Sequence, residues 1–453
     1  GVHITERTAQ VWLRRCGLKF KYTTTQEIYN DGHQRPDVLE ALGKHVLFMK
    51  DIKEECVTYT GEQMETELTG ARLVDPTIQR SIINFHDECS AHTTERNALG
   101  WTLNGRGKLK NKSKGDQVMV AAYVCADIGV WEQSMKFIQP GRGADKDDWW
   151  GGRETMAQAA EHLDEFDDKF PNHRCIDVYD NSTGHNCAAV DALRTNAMNI
   201  KPGGKNYRPI RNGKYLDPEG QEIIQSAYFT VALNTHLPGV NVDENSELIG
   251  VAKGMKQILL ERGRYFTIGS CDKAKHKTTI NAARKSAMEA WRQDKTNYEL
   301  LTALLSFPTA EELTEQMNDI HCVCVECVLS DEPDFRDQPS GLEEIYMKHN
   351  NDKDTRHKCI FLPKFHPELN PIERCWSKMK HHVRQVNNGS ISRLKEAMIY
   401  GLSPEHLPLS TIRKYCRSVY CYYEAYEQGM DIVTAEKWLR QRRTHRGYAP
   451  NMD

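Results

Sequence analysis

Apolar residues along this chain recur with two different periods. The stretches 81–87 (SIINFHD), 117–125 (QVMVAAYVC), 174–180 (RCIDVYD) and 357–362 (HKCIFL) are short runs rich in β-branched and aromatic residues, and they predict strands; 100–103 predicts a shorter one. Spacings of three and four at 5–18, 33–56, 154–166 and 371–386 predict amphipathic helices. The first of these carries Ala9, Val11, Trp12 and Leu13 on an apolar face, with Arg7, Arg14 and Arg15 as the polar complement, and stops at Gly17. Between 141 and 152 lies a Gly/Asp/Trp loop, and beyond Pro404 the chain to Arg446 reads as mostly helical with Tyr- and Arg-rich faces. Strands interleaved with helices predict an α/β chain with a mixed sheet.

At 453 residues the chain is long enough for two or three domains. Its formal net charge of −3 does not by itself point to nucleic acid. The charge is unevenly spread: from Arg374 to Asp453 there are 14 Lys and Arg against 7 Asp and Glu, which suits either phosphate contacts or a solvated helical surface. The 14 cysteines follow no framework spacing and no signal peptide is evident, so a reduced, intracellular protein is expected. No apolar run approaches the roughly 20 residues that span a bilayer, so no membrane partner is expected. The chain starts at Gly1 beside a predicted helix and reads as a fragment whose N-terminal part is missing.

Three acids stand out by context. Asp87 closes one predicted strand, Asp180 closes another, and Glu373 opens a helix after the strand at 357–362, behind Asn370 as N-cap and Pro371 at the first helical position. Each brings a carboxylate to the rim of one sheet. Three converging carboxylates can hold two divalent ions about 4 Å apart for displacement at phosphorus, and oxygen-only ligands favour Mg²⁺ or Mn²⁺. Each acid also has an ordinary alternative. Glu373 could close a capping box onto the Asn370 amide. Glu88 could replace Asp87 as the inward acid. Asp180-Asn181 could form an Asx turn, and Asp177 lies on the opposite strand face from Asp180.

The segment HPELNPIERCW, 366–376, resembles the Ser-Pro-Asp-Leu-Asn-Pro-Ile-Glu-x-x-Trp signature of mariner-type DDE transposases. FHDECSAH, 85–92, resembles the first-aspartate block of that superfamily, and VYDNSTGH, 178–185, its second, where Asp-Asn is followed by a histidine. YNDGHQRPD (29–37), MNIKPGGK (198–205) and EPDF (332–335) are similar to stretches of a fungal large-spacer subgroup. Carried over by position, the resemblance makes Asp87, Asp180 and Glu373 the catalytic, Mg²⁺- or Mn²⁺-binding acids. It implies an RNase H-like mixed sheet with flanking helices, a large insertion before the last catalytic helix, and a helical C-terminal region. It further implies DNA partners (transposon terminal repeats and target DNA), cleavage and strand transfer, a homodimer and a nuclear location. The alternative is a catalytically inactive, transposon-derived DNA-binding protein. The chain departs from the signature at its opening, His-Pro-Glu for Ser-Pro-Asp, and in the 193 positions that separate Asp180 from Glu373.

The expected organisation is a helix-turn-helix remnant and linker helix at 1–56, the first part of the core at 78–190, an insertion at 191–355, the last catalytic strand and helix at 356–390, and a basic helical region at 391–453. Cys324 and Cys327 form a CxxC pair; with His349 and Cys359 they offer a zinc set, the alternative being free cysteines. Arg7, Arg14 and Arg15, with Lys205, Arg208 and Arg211 of a turn-rich basic stretch, are the candidate phosphate contacts. Trp149 and Trp150 suit either base stacking or packing of their loop.

Overall fold

A computed structural model of the chain describes residues 5–16, 18–22, 32–33, 35–95, 99–103, 115–141, 147–204, 209–217, 219–230, 247–264, 324–387 and 389–444. The chain forms two compact units, 1–187 with 340–453, and 188–339. The first unit begins with α1 (Glu6–Arg15), β1 (Leu18–Tyr22), α2 (Pro36–Lys53), β2 (Val57–Thr60), β3 (Thr66–Thr69), β4 (Ser81–His92) and β5 (Leu99–Leu103). It continues with β6 (Gln117–Cys125), β7 (Gly129–Val130), β8 (Lys136–Ile138), α3 (Gly152–Lys169) and β9 (Arg174–Tyr179). The second unit contributes β10 (Gly213–Leu216), β11 (Glu222–Gln225), α4 (Gly254–Glu261), α5 (Val325–Asp331) and α6 (Pro333–Arg336). The first unit resumes with α7 (Gly341–Lys353), β12 (Lys358–Phe361), α8 (Ile372–Val386), α9 (Ile391–Leu402), α10 (Leu409–Glu427) and α11 (Ile432–Thr444).

A six-stranded mixed sheet organises the first unit, in the order β12-β9-β4-β6-β7 with β8 also on β6. β4 runs antiparallel to β6 and parallel to β9, which is parallel to β12. This is the RNase H-like arrangement: a first strand at the centre, an antiparallel meander on one side and two parallel strands on the other. Parallel neighbours need crossovers; α3 lies between β4 and β9, and α7 between β9 and β12.

β4 is buried along most of its length because both sheet faces are covered. Its alternation divides the core in two. Ile83, Phe85, Cys89 and Ala91 face a cluster that includes Leu42 and Met49 of α2, Trp376 and Met379 of α8, and Ile412 and Val419 of α10. Ile82 faces the other cluster, with Tyr123, Tyr179, Leu163 and Phe166 of α3, and Leu342 and Tyr346 of α7. α3 buries Ala159, Leu163 and Phe166 at helical spacing, and the amide of Gly151 donates to Glu154 Oε2 at 3.0 Å at its start.

Two expectations change. β4 does not end at Asp87: its pairing to β6 continues to His92 opposite Gln117, so Asp87 lies mid-strand and enters the site by its face rather than by a strand end. The stretch 191–355 is not one insertion. The second unit ends at 339, and α7 belongs with the sheet because Leu342 and Tyr346 complete the second core while Ser340 and Glu343 form a capping box.

Within the second unit, the Glu332-Pro-Asp-Phe335 stretch holds a buried guanidinium. Arg262 meets Asp334 through both carboxylate oxygens at 2.7 and 2.8 Å and Glu332 at 3.0 Å. Among the described residues no helix is long and apolar enough to cross a membrane.

Leu163 is fully enclosed, so Leu163→Ala is expected to lower unfolding free energy by about 2–5 kcal/mol, whereas Leu47→Ala, at an exposed site, should change it by less than about 0.5 kcal/mol. Urea unfolding of both variants checks the assignment of the core.

Candidate active site

β4 and β9 pair in parallel with Phe85 opposite Val178. The pairing ends there; β9 stops at Tyr179, and Asp180 follows it while β4 runs on through Asp87. Alternation places both on the face of Phe85 and Val178, the face covered by α8. Asp177, three residues earlier, lies on the other face, fully buried, where Asn84 Nδ2 donates to it at 2.7 Å and the Tyr346 hydroxyl also donates.

The third acid comes from α8, whose start is tied to β4 by one side chain. Asn370 is buried; its Nδ2 donates to the His86 carbonyl at 3.0 Å, and its Oδ1 accepts from the Ile372 amide at 3.4 Å. The helix begins one residue later than expected, with Pro371 rather than Asn370 as N-cap. The capping box is not formed: the Asn370 amide donates to the Pro367 carbonyl at 3.0 Å, leaving Glu373 facing outward in the first turn. One turn on, Trp376 Nε1 donates to Asp87 Oδ2 at 2.9 Å.

The electrostatics of the acids differ. Burial, and then the charges of Glu373, Glu88 and Asp180, push Asp87 well above the usual carboxylate range. Glu373 is also raised, by desolvation and by Asp180, against the opposing charge of Lys380. Asp180 goes the other way: burial opposes its ionisation, but hydrogen bonds from His185 and the Ser182 amide outweigh that and hold it low. His185 itself is nearly inaccessible. It bridges Asp180 through Nδ1 and Glu88 through Nε2, the latter at 2.9 Å. Burial disfavours its charge, yet the two carboxylates push its pKa up to about 10. A histidinium therefore fixes Asp180 Oδ1 and leaves Oδ2 for a ligand.

Glu88, the alternative to Asp87, thus points to the opposite face and acts through His185. Thr155 Oγ1 lies 3.4 Å from Glu88 and accepts from Trp150 Nε1 at 2.9 Å, so Trp150 is a packing anchor, while Trp149 is exposed. His185 and Lys380 were not among the expected site residues. The sequence carries a signal for each: a histidine five residues after Asp180, and a lysine two helical turns after Glu373.

Other expected residues do not join this site. Arg7, Arg14 and Arg15 are exposed on α1, a helix that buries none of its residues. Arg211 pairs with Asp191 at 2.5 Å, and Lys205 and Arg208 lie outside the described residues. The zinc set is not assembled. The Cys324 thiol caps α5, accepting from the Cys327 amide at 3.4 Å. His349 is bound to Asp167 at 2.9 Å, and Cys359 packs against the second core. Among the described residues, no group of three metal-ligating side chains includes Cys324 or Cys327.

The RNase H-like sheet carries Asp87 on β4 and Asp180 just past the end of β9, and α8 carries Glu373 in its first turn. Residues 338–396, which include α7, β12 and α8 with Glu373, match the model of the DDE superfamily endonucleases. No curated protein matches. Among solved structures, the mariner Mos1 paired-end complex with Mg aligns at 13% identity and a TM-score of 0.23, covering 40% of this chain and 45% of that one. The corresponding complex with Mn gives 12%, 0.23, 40% and 46%, and the Mos1 strand transfer complex 10%, 0.21, 40% and 44%. The chain thus spans less than half the length of these proteins, and the site assignment stands on its own geometry.

The raised Asp87 pKa has a consequence for stability. Its contribution is fully favourable below the unfolded value near 3.8 and is lost as pH rises through the folded value. In chelator, Asp87→Asn is expected to melt above the parent, with a gap that widens from about pH 4 upward. Saturating Mn²⁺ should raise the melting temperature of the parent and narrow the gap. Thermal melts across pH with and without metal test this; a parent insensitive to both would remove the metal site.

Proposed function

We propose that the first unit is a metal-dependent DNA endonuclease of the DDE type, working as a transposase or a transposase-derived nuclease. What supports this reading is that Asp87 feels the charges of Glu373 and Asp180, that Glu373 feels Asp180, and that Asp87 and Glu373 are both reluctant to ionise. The donor set fits hard divalent cations, because carboxylates without thiolates suit Mg²⁺ or Mn²⁺. Bound there, two such ions would activate a water or 3′-hydroxyl and stabilise the leaving oxygen of an in-line displacement at phosphorus.

The chain's own residues do the positioning. Trp376 orients Asp87, the His185 cation orients Asp180, and Asn370 sets the height at which α8 presents Glu373. Lys380, close enough to offset Glu373, is suited to meeting a backbone phosphate, and the exposed Trp149 to stacking on a base. Terminal-repeat and target DNA, a dimeric assembly and a nuclear location belong to the same reading.

In Mg²⁺ or Mn²⁺ the chain is expected to cleave DNA. Glu373→Gln and Asp180→Ala should each reduce cleavage by on the order of 100-fold or more while retaining DNA binding. Single-turnover cleavage of labelled duplex checks this. Binding without cleavage in any metal would replace the enzyme with a catalytically inactive, transposon-derived DNA-binding protein.

A further inference from the structure

The two positions at which the chain departs from the Ser-Pro-Asp signature, His366 and Glu368, belong to a second cluster. His366 is buried, and its Nδ1 lies 2.7 Å from Glu368 Oε1. The Tyr426 hydroxyl donates to the same oxygen. A carboxylate can only accept, so Nδ1 carries a hydrogen, and in the neutral ring Nε2 keeps its lone pair. That Nε2 is buried without a hydrogen-bond partner. His33, just ahead of α2, brings Nδ1 to the same place, also buried and without a partner. The two rings meet edge-on with centroids 5.1 Å apart, and ligand atoms of His33, His366 and Glu368 all lie within 4.8 Å of one another.

An unpaired buried imidazole nitrogen costs free energy, and two in neighbouring rings cost more. Backbone conformation holds them there. Each histidine follows a residue of positive φ, Gly32 at 90° and Phe365 at 67°. The Phe365 ring covers Gly32 so closely that a Cβ on Gly32 would come within 2.5 Å of it.

A similar trio elsewhere lacks the property that matters. In the group of Asp167, His349 and His357, His357 Nδ1 accepts from the Cys175 amide at 3.0 Å. Its Nε2 must therefore hold the hydrogen, which it donates to Asp167 at 2.9 Å, and no lone pair is left for a metal. That trio is a hydrogen-bonded clip. The first is a set of lone pairs oriented by a carboxylate, the second-shell pattern of metal-bound histidine.

We propose that His33 and His366 form a binding site for one divalent transition-metal ion, with Glu368 holding the His366 ring from behind, separate from the carboxylate site and unrelated to the cysteines. Two imidazoles suit an ion such as Zn²⁺ and do not suit Mg²⁺; with two protein ligands, the remaining positions stay open to water. Bound there, the ion joins the segment preceding α2 to the turn that launches α8, seven residues before Glu373, and so secures the turn that sets that carboxylate.

The test uses the full chain carrying Asp87→Asn and Glu373→Gln, so that the carboxylate site does not contribute. Zn²⁺ is titrated in excess Mg²⁺ against a chromophoric chelator. One equivalent of Zn²⁺ is expected to bind and to raise the melting temperature. His33→Gln and, separately, His366→Gln should weaken binding about tenfold or more. His33→Gln, at a half-buried position, keeps the test decisive if His366→Gln does not fold. Absence of bound Zn²⁺ in the parent, or unchanged affinity in a folded variant, overturns the site. Neither result bears on the nuclease reading, which cleavage by the otherwise unaltered chain tests separately.

Discussion

The register of β4 against β9 is the constraint on which the site depends. Phe85 stands opposite Val178, and alternation from that pair puts Asp87 and Asp180, the residue just past β9, on one face. Side chains alternate along a strand, so a slip of one residue would turn one of these carboxylates into the opposite core. The apolar alternation on both faces resists that slip. Ile83 and Phe85 pack on one side and Ile82 on the other, so a shifted β4 would misplace all of them at once. The chemistry of the site is thus held by packing that lies beneath it.

Given that register, α8 needs only one well-placed polar contact to complete the site. Asn370 makes it, joining the helix start to the backbone of the residue before Asp87. Because Asn370 is buried, losing this bond would leave an unpaired carbonyl as well as a free helix end. The acids are then close enough to repel one another. The structure meets this unevenly: Asp180 and Glu88 share the His185 cation, while Asp87 and Glu373 are left with raised pKa values. An arrangement that disfavours its own ionisation has a site ready for an external cation.

The opposite face carries a polar network of its own. Asp177, His162, Tyr346 and Asn84 lie buried together, with the Trp131 indole donating to Asn84 at 2.9 Å. Every turn of α3 and α7 that packs there is bound to this network or to its apolar surround.

Local pattern alone determined much of the chain. Period-two and period-three-to-four apolar spacing located β4, β6, β9, β12, α3 and α8 to within a few residues, because those elements bury one or two full faces. The Asn-Pro-Ile-Glu start of α8 and the acids near strands were legible for the same reason: local backbone preference and side-chain type act over a few residues. The end of β4 was not, since whether a strand continues past an acid depends on a partner strand about thirty residues away, and that partner carries β4 on to His92. Nor was the assignment of α7, whose Leu342 and Tyr346 are explained only by the core they enter. The His185 bridge, the Asn370 tie, the failure of the cysteine set and the neighbouring rings of His33 and His366 join residues distant in the chain or depend on backbone angle. Distances and hydrogen-bond direction decide such features, and those exist only once the chain has folded.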